Sequence, residues 1–129
     1  MRQYGKYGLV ALNAINKIEH YPETTPQDVW ENAALSVFLT QSSSRVKDCP
    51  KSAFLGLCEL GAVKGVAKGK YTSSVDNKKY AEDALSFLKQ DSNLENKELW
   101  DLVINNKTPK QHNSQMNVVL ALFNEGYLK

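Results

Sequence analysis

The sequence predicts an all-α fold: about six helices in one compact domain. Three observations predict it. Apolar residues recur at three- and four-residue spacing in six separate stretches. Each stretch is bounded by a proline, a glycine or a capping side chain. Strand-like patterning is confined to one short segment, residues 62–72, which reads as a small β-hairpin.

The first helix covers residues 6–20, with Tyr7, Val10, Ala11, Ala14, Ile15 and Ile18 on one face; Tyr21-Pro22 ends it, because a residue preceding proline disfavours the helical region. Thr25-Pro26-Gln27-Asp28 opens the second. Thr25 supplies a cap, Pro26 suits the first helical position and Asp28 favours the positive end of the dipole. Val29, Trp30, Ala33, Ala34, Val37 and Phe38 form its apolar face, and Gln41–Asp48 is a polar connection.

The third helix starts at Cys49-Pro50 and stops at Gly61, a glycine suited to the left-handed position that closes a helix. Lys51, Ser52, Gly56 and Glu59 share one arc, and Ala53, Phe54, Leu57, Cys58 and Leu60 cover most of the rest, so this helix belongs at the centre. Gly56, costly mid-helix, implies close approach of another backbone or of a ligand. In the hairpin, Val63 and Val66 lie on one arm, Tyr71 and Thr72 on the other, with Gly69 near the turn. Asp76 is a candidate cap for the fourth helix, which buries Tyr80, Ala81, Ala84, Leu85 and Leu88. A short fifth helix carries Leu99, Trp100, Val103 and Ile104 before Asn105–His112 breaks it. Asn113 or Ser114 starts the last helix, with Met116, Val118, Val119, Leu122 and Phe123 inside and Gly126 as the stop.

The halves rhyme. Lys6-Tyr7-Gly8 recurs as Lys79-Tyr80-Ala81, and Val29-Trp30-Glu31 as Leu99-Trp100-Asp101. Leu55, Leu57, Gly61, Val63 and Lys64 recur in register as Leu120, Leu122, Gly126, Leu128 and Lys129. Two readings fit: two duplicated three-helix units, residues 6–64 and 79–129, or the common appearance of amphipathic helices that end in glycine.

The 129 residues are one domain's worth, and 42% hydrophobic with 23% charged residues is an ordinary globular composition. A net charge of +2 does not by itself call for a polyanionic partner, so any electrostatic case rests on local clustering. Two cysteines are too few for a disulfide framework or a four-cysteine zinc site. Cys49 and Cys58, nine residues apart on one helix, would stand about 13 Å apart along its axis, too far for a disulfide. Reduced thiols, no secretory leader and no run of roughly 18 apolar residues predict a cytoplasmic protein without a membrane partner.

Gly65–Thr72 invites comparison with a phosphate-binding loop and fails it. Three residues rather than four separate Gly65 and Gly69, Tyr71 follows Lys70 where serine or threonine belongs, and a helix precedes. What remains is a basic loop, Lys64, Lys68 and Lys70, continued by Lys78 and Lys79 with only Asp76 opposing, ahead of a helix N-terminus that favours anions. Three helices followed by a hairpin also resemble a winged helix-turn-helix with 62–72 as the wing, yet Lys51, Ser52 and Glu59 are poor base readers. For catalysis, Cys49 at a helix start beside Lys51 and a Cys49–His112 pair are the only candidates, and neither His20 nor His112 sits in a metal-ligand spacing. Glu59 and Glu125 read as surface carboxylates, and Gln111–Gln115 as a polar cluster that caps the last helix or meets a ligand.

At Cys49-Pro50-Lys51, Ala53–Glu59, Gly61, Val63–Gly65, Gly69 and Tyr71-Thr72, and again at His112–Met116 and Val118–Leu122, the chain resembles a family of small uncharacterised bacterial proteins. The resemblance implies a stand-alone cytosolic domain and supplies no activity, cofactor or catalytic residue. The expected function is a non-enzymatic binding or adaptor module for a protein or anionic ligand, met through Lys51, Lys64, Lys68, Lys70, Tyr71, Thr72, His112 and Gln115. A winged-helix-like nucleic-acid binder is the alternative, and a small enzyme using Cys49 or His112 the third reading.

Overall fold

The structure, a computed structural model, describes residues 4–20, 23–40, 48–104 and 114–129. Within them the chain forms six helices: α1 (Gly5–His20), α2 (Pro26–Val37), α3 (Asp48–Glu59), α4 (Val75–Gln90), α5 (Asn96–Ile104) and α6 (Gln115–Asn124). The all-helical expectation holds. Tyr21-Pro22, Gln41–Lys47 and Asn105–Asn113 lie outside the described residues.

Thr25 caps α2 as its sequence suggests, its hydroxyl accepting from Asp28 N at 3.2 Å, with Pro26 in the first turn. At α4 the cap is Ser74 rather than Asp76. The Ser74 hydroxyl accepts both Asn77 N, at 3.4 Å, and Asn77 Nδ2, at 3.0 Å. Ser114 holds the N-cap position of α6 with φ of 67° and no side-chain capping bond.

Helix α3 is central: every residue from Ser52 to Glu59 is buried, and it packs against α2, α4 and α6. Trp30 and Phe54 meet at 5.3 Å between centroids at the α2–α3 contact. Tyr7 against Phe38 and Tyr80 against Trp100, at 5.0 and 5.3 Å, close the outer pairs. Gly56 is needed where α3 crosses α4, since a Cβ there would stand 2.7 Å from the Lys78 Cα. At the α1–α6 crossing, a Cβ on Gly8 would meet Asn117 O at 3.2 Å and the Ala121 methyl carbon at 3.3 Å.

The expected hairpin at 62–72 does not form. Val63 instead makes an isolated antiparallel bridge to Leu128. Lys64 N donates to Tyr127 O at 2.9 Å, and Lys129 N to Ala62 O at 2.8 Å. The alternation around Val63 is real, but its partner is the far end of the chain. α3 and α6 deliver those two segments through the same backbone device. Gly61, at φ 74°, and Gly126, at φ 85°, each follow a helix. Ala62 N donates to Leu57 O and Gly61 N to Cys58 O, just as Tyr127 N donates to Leu122 O and Gly126 N to Phe123 O. Both are Schellman closures, which satisfy the last carbonyls of a helix.

Candidate functional site

Glu59 organises the region that the sequence marks as basic. It is the last residue of α3 and only 8% exposed, which corrects its reading as a surface carboxylate. Its Oε1 accepts Tyr71 N at 2.8 Å and Thr72 N at 3.2 Å, and its Oε2 accepts Lys78 Nζ at 2.6 Å. The Lys78 bond, then the two amides, hold the carboxyl at a pKa of about 2, well below its ordinary value. Glu59 also takes Gly69 N on its backbone carbonyl at 3.4 Å. One residue therefore pins the far end of the loop to the end of α3.

Tyr71 completes the anchorage. Gln27 Nε2, from the first turn of α2, donates to Tyr71 O at 3.2 Å. The phenol reaches back to Ala67 O at 2.6 Å and lies against Gly69, where a Cβ would come within 2.9 Å of the hydroxyl. Thr72 Oγ1 accepts Ser74 N at 3.1 Å, turning the chain into α4. With both arms bonded elsewhere, to the chain end and to Glu59, no ladder is left for a hairpin.

Lys64, Lys68 and Lys70 all project from this anchored loop into solvent, and none forms an ion pair with a described residue. Lys129 is exposed just across the bridge from Ala62. Beside the loop lies a basin of about 560 Å³ lined by Glu59, Lys70, Thr72, Ser74, Lys78 and Lys79, among others. Its floor charges are matched: Lys78 by Glu59, and Lys79 by Asp83 at 3.0 Å, which raises the Lys79 pKa.

The other predicted site residues separate. Lys51 is bonded to Glu31 of α2 at 2.9 Å, away from the loop. Gln115 is buried and donates to Asn77 Oδ1 at 3.1 Å, extending the Ser74 cap network. His112 lies outside the described residues, so its pairing with Cys49 is not described either. Cys49 is half-buried, and burial pushes the Cys58 thiol well up, leaving it an inert core residue. His20 Nδ1 sits 2.8 Å from Asn16 O in its own helix. Among the described residues no three His, Cys, Asp or Glu side chains gather as a metal site. The winged-helix reading loses its wing, and the α3 face it needs exposed is packed: Ser52 is 2% exposed and Gly56 abuts α4.

Sequence reasoning missed Glu59 because its partners lie 12, 13 and 19 residues away. No local spacing announces them.

Fold and site together define a small helical domain that presents a braced basic loop. Neither a curated protein nor a solved structure matches it. The chain belongs to DUF6979, a family of unknown function whose model matches residues 4–129. Among the described residues no helix is long and apolar enough to cross a membrane.

Proposed function

We propose that this protein is a non-enzymatic binding module whose working surface is the Lys64–Thr72 loop with the first turn of α4, and that it takes an anionic partner there. One observation carries the reading. The loop is fixed at its far end by Glu59 and at its near end by the Val63–Leu128 bridge, and Lys64, Lys68 and Lys70 stand on it without an acidic partner among the described residues. Holding the backbone in advance removes part of the ordering cost of binding. The adjoining hydroxyls of Ser73 and Ser74 line the basin beside those lysines, as donors suited to an oxyanion.

Titration with inorganic pyrophosphate and with a generic RNA oligonucleotide, each at two salt concentrations, tests the reading. Binding that weakens with salt and is lost in the Lys64→Ala/Lys68→Ala/Lys70→Ala variant is expected. Binding unchanged in that variant would falsify it. Pyrophosphate binding without RNA binding identifies a small anion, and a steep salt slope with RNA alone identifies a polyanion.

The same region supports reading the chain as two related three-helix units. The bridge and both helix closures obey one offset of 65 residues, which pairs Ala62 with Tyr127 and Lys64 with Lys129. α1 packs on α6 as α4 packs on α3, so the first helix of each half lies on the last helix of the other. Superposing residues 6–64 on 79–129 of an experimental structure tests it, and a different helix order or different crossing angles would remove it.

A further inference from the structure

The 65-residue offset that relates the ends of α3 and α6 brings Asn124 onto Glu59, and each is the final residue of its helix. At Glu59 the carboxylate is filled by a piece of chain, the amides of Tyr71 and Thr72. At Asn124 the carboxamide makes no hydrogen bond with a described residue and lines an open cleft of about 350 Å³. Tyr4, Glu95, Asn96, Asn117 and Leu120 form other walls of that cleft. Its volume lies within the range of ligand sites.

The walls are set. Asn117 Nδ2 donates to Tyr4 O at 2.7 Å while its Oδ1 accepts Asn96 Nδ2 at 2.8 Å, joining the starts of α1 and α5 across α6. Because both ends of the Asn117 carboxamide are engaged, it frames the cleft and leaves the Asn124 carboxamide, which can both accept and donate, as the open group. The rim is acidic. Glu95 is exposed with its carboxylate unpaired among the described residues, and Glu125 accepts the Tyr4 hydroxyl at 2.9 Å. Half-buried Leu94, with the edge of the core residue Leu120, supplies the apolar part of the lining.

We propose that the Asn124 cleft is a binding site for an extended basic peptide segment, held as Glu59 holds Tyr71 and Thr72 in the same chain. Three features match that occupant. A carboxamide able to accept stands where the sister helix end takes two consecutive amides. The acidic rim complements a segment carrying lysines, as Lys68 and Lys70 lead into the internal example. Half-buried Tyr4 and Leu94 offer a surface for a side chain placed like Tyr71. The proposal rests on the two-unit reading of the fold and is independent of the anionic partner at the basic loop.

The probe is a synthetic peptide copying residues 66–74, VAKGKYTSS, added to the intact protein and followed by amide chemical shifts. Saturable shifts at the side-chain amides of Asn124, Asn117 and Asn96 are expected. Asn124→Glu, which restores the charge found at Glu59, is expected to bind about fivefold tighter, and Asn124→Leu at least about fivefold weaker. Glu95→Lys/Glu125→Lys is expected to weaken binding and flatten its salt dependence. Shifts confined to Tyr71 and Thr72, meaning exchange with the internal loop, overturn the proposal. So does affinity unchanged in both Asn124 variants when their melting curves show them folded. Failure of residues 48–64 to superpose on 115–129 would instead remove the two-unit reading.

Discussion

The ends of α3 and α6 share one backbone design and differ in one side chain. Each helix closes on a glycine in the left-handed region, each sends the next residues into the Val63–Leu128 bridge, and the bridge bonds exchange like for like. At α3 the last residue is Glu59, which gathers two amides and an ammonium; at α6 it is Asn124, which gathers none among the described residues. A charged acceptor makes hydrogen bonds roughly twice as strong as a neutral one. One carboxylate thus separates a helix end that fixes a loop from one that leaves a cleft.

The largest break in that contrast is Glu59→Ala. It leaves Lys78 and two backbone amides without their acceptor and is expected to cost about 3 kcal/mol in urea unfolding. Asn124→Ala is expected to cost under about 0.5 kcal/mol, as for an unpartnered side chain. Equal losses at the two positions would end the distinction. The Glu59 contribution also has a pH signature. Because the folded carboxyl sits at about 2, below its ordinary value of 4.5, its stabilisation is complete above pH 4.5 and disappears as pH falls through about 2. The stability gap between wild type and Glu59→Gln should therefore close over that window, and a gap that stays constant there contradicts the assignment.

Next in size are the crossings. Gly56→Ala pushes a methyl onto the Lys78 backbone at 2.7 Å and is expected to destabilise by about 1–2 kcal/mol, despite alanine's higher helix propensity. A melting temperature that rises in this variant would show that α3 and α4 sit further apart than described.

The shared part of the design predicts losses of similar size. Gly61→Ala and Gly126→Ala should each cost about 1 kcal/mol because both residues have positive φ, with Gly61→Ala the costlier of the two because its Cβ would also stand 3.3 Å from the Lys68 Cβ. Smallest of all, replacing Lys64, Lys68 and Lys70 by alanine should change stability by less than about 0.5 kcal/mol while altering anion binding. A large loss of stability would mean that the lysines hold the loop rather than decorate it.

The helices were legible because their boundaries are local chemistry: Thr25-Pro26 starts one, and Gly61 and Gly126 end two. The central place of α3 followed from its apolar content, and Gly56 announced a close neighbour without saying which. The hairpin failed for a physical reason. Alternation around Val63 specifies an extended segment but not its partner, and the partner, Leu128, lies at the other end of the sequence. At α4, Ser74 serves as cap although Asp76 also has the chemistry for it, because the chain turns at Thr72 and fixes where the helix starts. Of the candidate site, the lysines and Tyr71 could be named from the sequence, whereas Glu59 could not. A single carboxylate on the polar arc of a helix looks solvated until the fold lays a loop over it.

The central claim is that Glu59 holds the basic loop in place, and amide hydrogen exchange at Tyr71 and Thr72 tests it most directly. Slow exchange of both amides in the wild-type protein, becoming fast in Glu59→Gln while the α3 interior stays protected, is the predicted result. Exchange at Tyr71 and Thr72 that is equally fast in both proteins, or equally slow, would contradict it.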